Sequence, residues 1–199
     1  MNDKYEVIMA GFGGQGVMMM GQLLAYSGML EGLQVTWMPS YGPEQRGGTA
    51  NCTVVLSSHA IGSPVVERPA AVIAMNRPSL DKFEDAILPD GLLIINSTLV
   101  GRLSGRLDLT VLAIPASQVA DDLGNGQIAN MVALGAFLEA TDLVQLESVL
   151  QSLKKILPAH RHNLIPQNEQ ALRRGMELAR ELLKARGRGL SCCRPDAEN

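Results

Sequence analysis

Short, nearly all-apolar runs alternate along the chain with longer segments in which apolar residues recur at helical spacing. Continuous apolar runs rich in β-branched residues predict buried strands, here at 5–10, 34–38, 50–56, 70–75, 92–96 and 109–114. A period of 3.6 residues predicts helices, here at 17–33, 77–88, 115–123, 127–140, 143–157 and 168–186. Because strands alternate with helices, we predict an α/β fold: a three-layer, doubly wound, mostly parallel sheet with a helical C-terminal third.

Glycine, proline and chain length set the expected boundaries. Gly32 is placed to end the first helix, and Pro39 is expected to end the second strand and open a loop. At 199 residues the chain has the size of one domain, which we place at 1–186. The final residues, 187–199, are expected to form a disordered tail.

Composition and charge exclude several classes of function. With 46% hydrophobic but only 4% aromatic residues, the core must be packed by aliphatic side chains and methionine. The net charge of −3 gives no basic face for a nucleic acid backbone. No apolar stretch approaches the roughly 20 residues of a membrane span, and the first residues do not resemble a secretory signal. We therefore expect a cytoplasmic protein without a nucleic acid or membrane partner.

The cysteines and histidines do not form a metal-binding pattern. Cys52 stands alone, and Cys192 and Cys193 are adjacent, so their spacing matches neither a disulfide framework nor a metal site. His160 and His162 are expected in a solvent-exposed loop. We predict no metal site and no iron–sulfur ligand set on this chain.

A glycine-rich loop lies between the first predicted strand and the first predicted helix. Gly11, Gly13 and Gly16 match the spacing of the dinucleotide fingerprint, in which glycines let the backbone approach a phosphate at a helix N-terminus. An NAD site also needs an acidic residue at the end of the second strand, and residues 36–39 contain none. Ordinary NAD binding is therefore disfavoured. Two interpretations stay open: a tight turn without a ligand, and a loop approached by an anion or a cofactor phosphate.

A second glycine-rich loop follows the second predicted strand. Arg46 lies beside glycines, and its planar guanidinium could hold a carboxylate or a phosphate. The alternative is an ordered turn in which Glu44 and Arg46 are solvated or paired with each other. Asn130, among apolar neighbours on a helix, is expected to make a structural hydrogen bond. The sequence has no nucleophile–base pair, Gly-x-Ser-x-Gly motif or P-loop, so we predict no catalytic residue on this chain.

Together with residues 91–97, the two loops resemble the gamma subunit of 2-oxoacid:ferredoxin oxidoreductases, over about residues 5–183. Residues 40–44 look closer to the 2-oxoglutarate and branched-chain members. The resemblance implies a complex that decarboxylates a 2-oxoacid, transfers the acyl group to coenzyme A and reduces ferredoxin. It also implies that thiamine diphosphate, magnesium and [4Fe–4S] clusters belong to alpha, beta and ferredoxin-like delta subunits.

On this resemblance the chain is inactive alone, and its loops help to close the active site and are candidates to admit coenzyme A. The implied cofactor-binding residues are Gly11, Gly13, Gly14, Gln15, Gly16, Tyr41, Gly42, Pro43, Glu44, Arg46, Gly47 and Gly48. Arg46 is expected to contact an anion, either a coenzyme A phosphate or a partner carboxylate. The alternatives are a stand-alone nucleotide-binding α/β module and a purely structural interface subunit.

Overall fold

A six-stranded sheet organises the protein, for which a computed structural model describes residues 4–41 and 48–186. The strands are β1 (Lys4–Phe12), β2 (Gln34–Tyr41), β3 (Thr49–Ser57), β4 (Ala71–Ala74), β5 (Leu92–Asn96) and β6 (Thr110–Ile114). The helices are α1 (Val17–Leu30), α2 (Arg77–Phe83), α3 (Ser97–Val100), α4 (Ala116–Asp122), α5 (Ala129–Thr141), α6 (Leu146–Ile156) and α7 (Ile165–Arg186). Within these ranges no helix has both the length and the apolarity needed to cross a bilayer.

The strand order β2-β3-β1-β4-β5-β6 combines a parallel half with an antiparallel edge. Strands β1, β4, β5 and β6 are parallel neighbours, whereas β3 runs antiparallel to both β1 and β2. Because two reversals restore the direction, β2 runs the same way as β1. The carboxyl ends of every strand except β3 therefore lie at one edge of the sheet, and the mostly parallel prediction is confirmed.

Helices cover both faces of the sheet, as a three-layer arrangement requires. Side chains alternate across a strand, so Val7 and Met9 of β1 join the core under α1, α4, α5, α6 and α7. Ile8 and Ala10 face the opposite core, with Leu80 of α2 and Val100 of α3. The helical C-terminal third packs on the same face as α1.

Several predicted boundaries shift. Strand β2 continues through Pro39 to Tyr41, so the prediction that Pro39 ends the strand is wrong; proline is tolerated in an edge strand, whose outer side needs no ladder hydrogen bond. The helix predicted at 77–88 ends at Phe83 and is followed by a 3₁₀ turn, Glu84–Ala86.

His160 and His162 lie in a 3₁₀ helix, Ala159–Leu164, rather than a loop. Helix α1 ends two residues before Gly32, whose φ of 82° is left-handed. The predicted tail at 187–199 lies outside the described residues.

Helices α5 and α7 cross with their backbones in direct contact. A Cβ atom added to Gly135 would lie 2.0 Å from the carbonyl oxygen of Leu172, and one added to Gly175 would lie 2.0 Å from that of Val132. Each glycine therefore provides the space for the backbone of the other helix. The short separation lets the C-terminal helix reach the core beneath α5.

A network of charged side chains fixes the connection between α3 and β6. Arg102 donates to Asp81 Oδ1 and to Glu84 Oε2 at 2.5 and 2.6 Å, and the Gly105 amide donates to Glu84 Oε1 at 3.0 Å. Arg106 donates to the carbonyl oxygens of Glu84 and Ile87. Burial disfavours the ionised form of Glu84, but these hydrogen bonds outweigh it and hold the pKa of the carboxyl below its usual value.

We expect Gly175→Ala to lower the free energy of unfolding by about 1–3 kcal/mol, because the methyl group must separate α5 from α7. By helix propensity alone, alanine in place of glycine would raise the free energy of unfolding by about 1 kcal/mol. A decrease would therefore show that the close contact dominates. Urea denaturation measures the change. Gly62→Ala, at an open position, is the control and should stay within about 0.5 kcal/mol. A Gly175→Ala protein as stable as the wild type would contradict the contact.

Glu84→Gln should lower the free energy of unfolding by about 1–3 kcal/mol at neutral pH, since it weakens charge-assisted hydrogen bonds to a buried group. The folded-state pKa of Glu84 is lowered. Its contribution is therefore complete above the ordinary glutamate pKa of about 4.3 and is lost as the pH falls through the lower folded-state value. Denaturation of both proteins across this pH range should show the difference shrinking in acid. The exposed carboxylate of Glu181 provides the control, Glu181→Gln, for which a constant difference near zero is expected.

Candidate functional site

The first glycine loop joins the carboxyl end of β1 to the N-terminus of α1. Gly14 and Gly16 adopt left-handed φ values of 98° and 71°. Gly16 is the N-cap of α1, and no side chain caps the helix there. A Cβ atom at Gly14 would meet nothing within 4 Å. The loop therefore presents an open space beside backbone N–H groups, the arrangement that binds phosphates and other anions at helix N-termini.

Gln15 fastens this loop to β4. Its Oε1 accepts hydrogen bonds from the Phe12 amide at 2.7 Å and from Asn76 Nδ2 at 3.1 Å, and its Nε2 donates to the Met75 carbonyl at 3.3 Å. A Cβ atom at Gly11 would lie 2.7 Å from the same Oε1, so Gly11 provides room for this side chain. The structure thus gives Gln15 a positioning role, and direct cofactor binding by it stays a prediction.

Asn130 supports the other end of the loop. Its Nδ2 donates to the Gly16 carbonyl at 3.2 Å, which confirms the structural hydrogen bond expected for it. A Cβ atom at Gly16 would lie 2.3 Å from this nitrogen. Glycine is therefore required at position 16 by both its φ and its neighbour.

The second glycine loop ends beside the first. Phe12 pairs with Thr49 in the β1–β3 ladder, and the Gly13 amide donates to the Gly48 carbonyl at 3.0 Å. Tyr41 ends β2 and is 68% exposed. Residues 42–47, which include the predicted site residues Gly42, Pro43, Glu44, Arg46 and Gly47, lie outside the described residues.

Asparagine and serine side chains continue the edge beyond the loops. Asn76 follows β4 and caps α2, accepting from the Ser79 amide at 2.9 Å. Asn96 ends β5; its Nδ2 donates to Ser117 Oγ at 2.8 Å, and its Oδ1 accepts from the Ser117 amide at 3.2 Å. Sequence reasoning missed Asn76 and Ser117. The sequence signal that could have found Asn76 is an asparagine directly after an apolar run. Asn96 follows the same pattern, and both residues are buried.

This edge coincides with the topological switch point of the sheet. Strands β1 and β4 are neighbours, and the helices that follow them, α1 and α2, pack on opposite faces. In open α/β sheets a crevice forms at that point, outside the carboxyl ends of the strands, and ligands bind there.

The side chains that hold this edge together are neutral amides and hydroxyls. Arg77, next to Asn76, is an exposed cation whose Nε lies 3.7 Å from Asp81 Oδ2. Among the described residues no three histidine, cysteine, aspartate or glutamate side chains lie close enough to hold a metal ion. The described part of the edge therefore offers hydrogen-bond donors and acceptors rather than a metal centre.

Cys52 is the one described cysteine, and it is buried. Burial raises the pKa of its thiol to about 12. Its Sγ donates to the Val17 carbonyl at 3.4 Å. A thiol that stays protonated at neutral pH is a weak nucleophile, so Cys52 serves packing beneath α1.

Proteins of known description are similar to this chain in sequence over most of its length. Ketoisovalerate oxidoreductase subunit VorA of Methanothermobacter thermautotrophicus is 40% identical over 89% of this chain. The chain spans 37% of that relative and 28% of VorA from Methanothermobacter marburgensis, about a third of their length. The 2-oxoglutarate synthase subunit KorC of Methanocaldococcus jannaschii is 31% identical over 90% of this chain and 96% of its own length.

Solved structures agree with the fold. The gamma subunit of a keto/oxoacid ferredoxin oxidoreductase from Geobacter sulfurreducens superposes with a TM-score of 0.76 at 28% identity, covering 89% of this chain and 99% of that one. A 2-oxoglutarate:ferredoxin oxidoreductase chain from Magnetococcus marinus, solved with 2-oxoglutarate, coenzyme A and succinyl-CoA bound, gives a TM-score of 0.84 at 22% identity. This chain covers 32% of it, and 91% of this chain is matched. At that identity the likeness shows the fold alone.

The family assignment rests on the whole domain rather than on the loops alone. The pyruvate ferredoxin/flavodoxin oxidoreductase family matches residues 6–178, from β1 into α7. This match confirms the resemblance drawn from the two glycine loops. The chain belongs to the pyruvate ferredoxin/flavodoxin oxidoreductase family.

Proposed function

We propose that the chain is the gamma component of a thiamine diphosphate-dependent 2-oxoacid:ferredoxin oxidoreductase, which forms an acyl-CoA from a 2-oxoacid and reduces ferredoxin. The observation that carries the proposal is the pair of glycine loops joined by the Gly13–Gly48 hydrogen bond at the switch point of the sheet. This edge has donors that can bind and orient a ligand. Chemistry at the 2-oxoacid then belongs to a partner, and the two loops close that partner's site in the cytoplasm.

The relatives support a 2-oxoacid substrate. The relatives described above carry the names ketoisovalerate oxidoreductase and 2-oxoglutarate synthase. We infer an alpha, a beta and a ferredoxin-like delta component, on the same polypeptide or on others, which hold thiamine diphosphate with magnesium and the [4Fe–4S] clusters. Thiamine diphosphate supplies the carbanion chemistry that cleaves the bond to the carboxylate.

Coenzyme A is the ligand that best fits the first loop. Its phosphates can accept hydrogen bonds from the N-terminal amides of α1, where Gly16 leaves the helix uncapped by a side chain. Gly14 leaves the space for a phosphate open. Gln15 and Asn130 hold the loop in that conformation through the hydrogen bonds described above. Arg46, in the second loop, would add a cation.

A stand-alone nucleotide-binding module is the second candidate, because Gly11, Gly13 and Gly16 retain the dinucleotide spacing. The described end of β2 carries Ser40 and Tyr41 and no carboxylate for ribose hydroxyls. Titration of the isolated chain with NAD, FAD and coenzyme A, followed by calorimetry, separates the two. Tight NAD or FAD binding without partners would favour the module.

We expect the purified chain to show no 2-oxoacid-dependent ferredoxin reduction, because the described residues offer no metal-ligand cluster and the sequence contains no nucleophile–base pair. The complex reconstituted with its thiamine diphosphate-binding and iron–sulfur partners should be active. The assay is ferredoxin absorbance with ketoisovalerate, 2-oxoglutarate or pyruvate under anaerobic conditions. Activity of the isolated chain, or activity of the other components that does not change when the chain is omitted, would contradict the proposal.

In the active complex, Arg46→Ala should raise the KM for coenzyme A about 10- to 100-fold, since one charge-assisted hydrogen bond is worth about 1.5–3 kcal/mol. The KM for the 2-oxoacid should not change. Arg173→Ala is the matched control, because Arg173 pairs with Glu169 on the exposed face of α7. Equal coenzyme A kinetics for wild type and Arg46→Ala would exclude the phosphate contact and favour a purely structural second loop.

A further inference from the structure

Helix α1 is apolar on every side, yet one of its sides is uncovered. Its sequence, VMMMGQLLAYSGML, has no charged residue. Tyr26, Met29 and Leu30 are 38%, 60% and 53% exposed. A helix that is hydrophobic all round is normally buried in the interior of a larger structure. The uncovered side therefore leaves apolar surface in contact with solvent when the domain is by itself.

The exposed residues form one stripe along the helix. Gln22, Tyr26 and Leu30 follow each other at four-residue intervals, which places them on the same face. Leu23, Leu24 and Ser27 point to the sheet or to α6 and are buried. The stripe starts in the first turn, where Met18 and Met19 are half-buried next to Gly16. We call Met18, Met19, Gln22, Tyr26, Met29 and Leu30 the α1 stripe.

The stripe continues the edge that carries the glycine loops. Tyr41 shares its side of β2 with Val35 and Trp37, because side chains two residues apart lie on one face. Val35 and Trp37 pack against the core under α1, so Tyr41 lies on the α1 side at the loop end of the strand. Its 68% exposure adds a second uncovered aromatic side chain on the α1 side of the sheet.

The stretch of sequence that carries the stripe is nearly free of charge. Between residues 7 and 43, Glu31 is the single charged residue, and its Oε1 accepts a hydrogen bond from the Gln145 amide at 2.6 Å. The outer face of α7 differs, with ion pairs from Arg173 to Glu169 and from Arg174 to Glu177. Depletion of charge with enrichment of methionine and aromatic residues is the composition of the centre of a protein–protein interface.

We infer that the α1 stripe docks the thiamine diphosphate-binding component of the enzyme, an inference that rests on the proposed function. The stripe begins at Met18 and Met19, next to Gly16 of the first glycine loop, so a protein that covers that loop also reaches the stripe. The lengths of the relatives agree. The domain is about a third of VorA and of the Magnetococcus marinus chain, but nearly all of KorC. A domain that occurs both fused and separate needs a surface that holds it to the rest of the enzyme.

Charge introduced into the stripe tests the inference. Tyr26→Glu and Met29→Glu change exposed side chains, so the fold should be retained, as checked by circular dichroism and thermal denaturation. Leu107→Glu is the matched control, because Leu107 is 99% exposed. Its neighbour Arg106 donates to the Glu84 carbonyl in the 3₁₀ turn that follows α2, on the opposite face of the sheet. Biolayer interferometry with the purified thiamine diphosphate-binding component gives the Kd of each variant.

We expect each stripe variant to raise the Kd about 30-fold or more, the effect of losing one interface hot spot. Leu107→Glu should change the Kd less than about twofold. Wild-type affinity of both folded stripe variants would overturn the inference and leave the proposed function intact. Failure of the wild-type chain to bind the thiamine diphosphate-binding component would overturn both.

Hydroxyl-radical footprinting of the unmodified chain gives a readout that does not depend on variants. In the complex, Tyr26 and Met29 should be protected from oxidation, while Leu107 stays reactive. Unchanged oxidation of Met29 on complex formation would overturn the inference. So would a dimer of the isolated chain, seen by light scattering, that Tyr26→Glu dissociates while heteromeric binding is retained, because a second copy would then cover the stripe.

Discussion

The antiparallel pairing of β1 with β3 is the constraint on which the rest of the arrangement depends. The two strands pair along their full length, from Lys4 with Ser57 to Phe12 with Thr49. Because β3 is antiparallel to β2 as well, β2 runs parallel to β1, and the carboxyl ends of both strands lie at the same edge of the sheet. Without this pairing, the loop after β2 would have no reason to meet the loop after β1. The Gly13–Gly48 hydrogen bond is the local result of that register.

Neutral hydrogen bonds, rather than ion pairs, give the site edge its shape. Gln15 connects the first loop to β4, Asn76 starts α2, and Asn96 connects β5 to Ser117 of α4. Buried amides must find partners, because an unpaired one costs free energy. These contacts therefore specify a single loop conformation. A fixed loop keeps the backbone donors at the N-terminus of α1 pointed at one place, which suits binding and orientation.

Charge is distributed unevenly between the two faces and ends of the domain. The connection between α3 and β6 is held by Arg102, Arg106 and Glu84, and α7 has ion pairs on its outer side. Between Glu6 and Tyr41, the sequence contains one charged residue, Glu31. A small domain has no need to leave one side of a helix both apolar and exposed. The asymmetry is understandable if that side is interior in the assembled enzyme, where desolvating a charge would be costly.

Local patterns in the sequence predicted much of this structure. Apolar runs and helical periods identified all six strands and most helices, since burial on a sheet or under a helix leaves a period that can be counted. The spacing of Gly11, Gly13 and Gly16 identified a close backbone turn. Asn130 was expected to make a structural hydrogen bond, but its partner, Gly16, was not predicted. Boundaries were less secure: Pro39 is a strong local stop signal, and only its position on an edge strand allows β2 to continue.

The sequence by itself determined which segments fold, that the first loop needs glycine, and to which family the chain belongs. Only the tertiary structure decided which residues meet. Gln15 and Asn76 are 61 positions apart and Asn130 and Gly16 are 114 apart, and no local period encodes such pairs. The close crossing of Gly135 and Gly175, and the uncovered side of α1, likewise follow from how helices pack on the sheet. Pairing between distant segments depends on the assembled core, whereas helix and strand formation depends on neighbours in the chain.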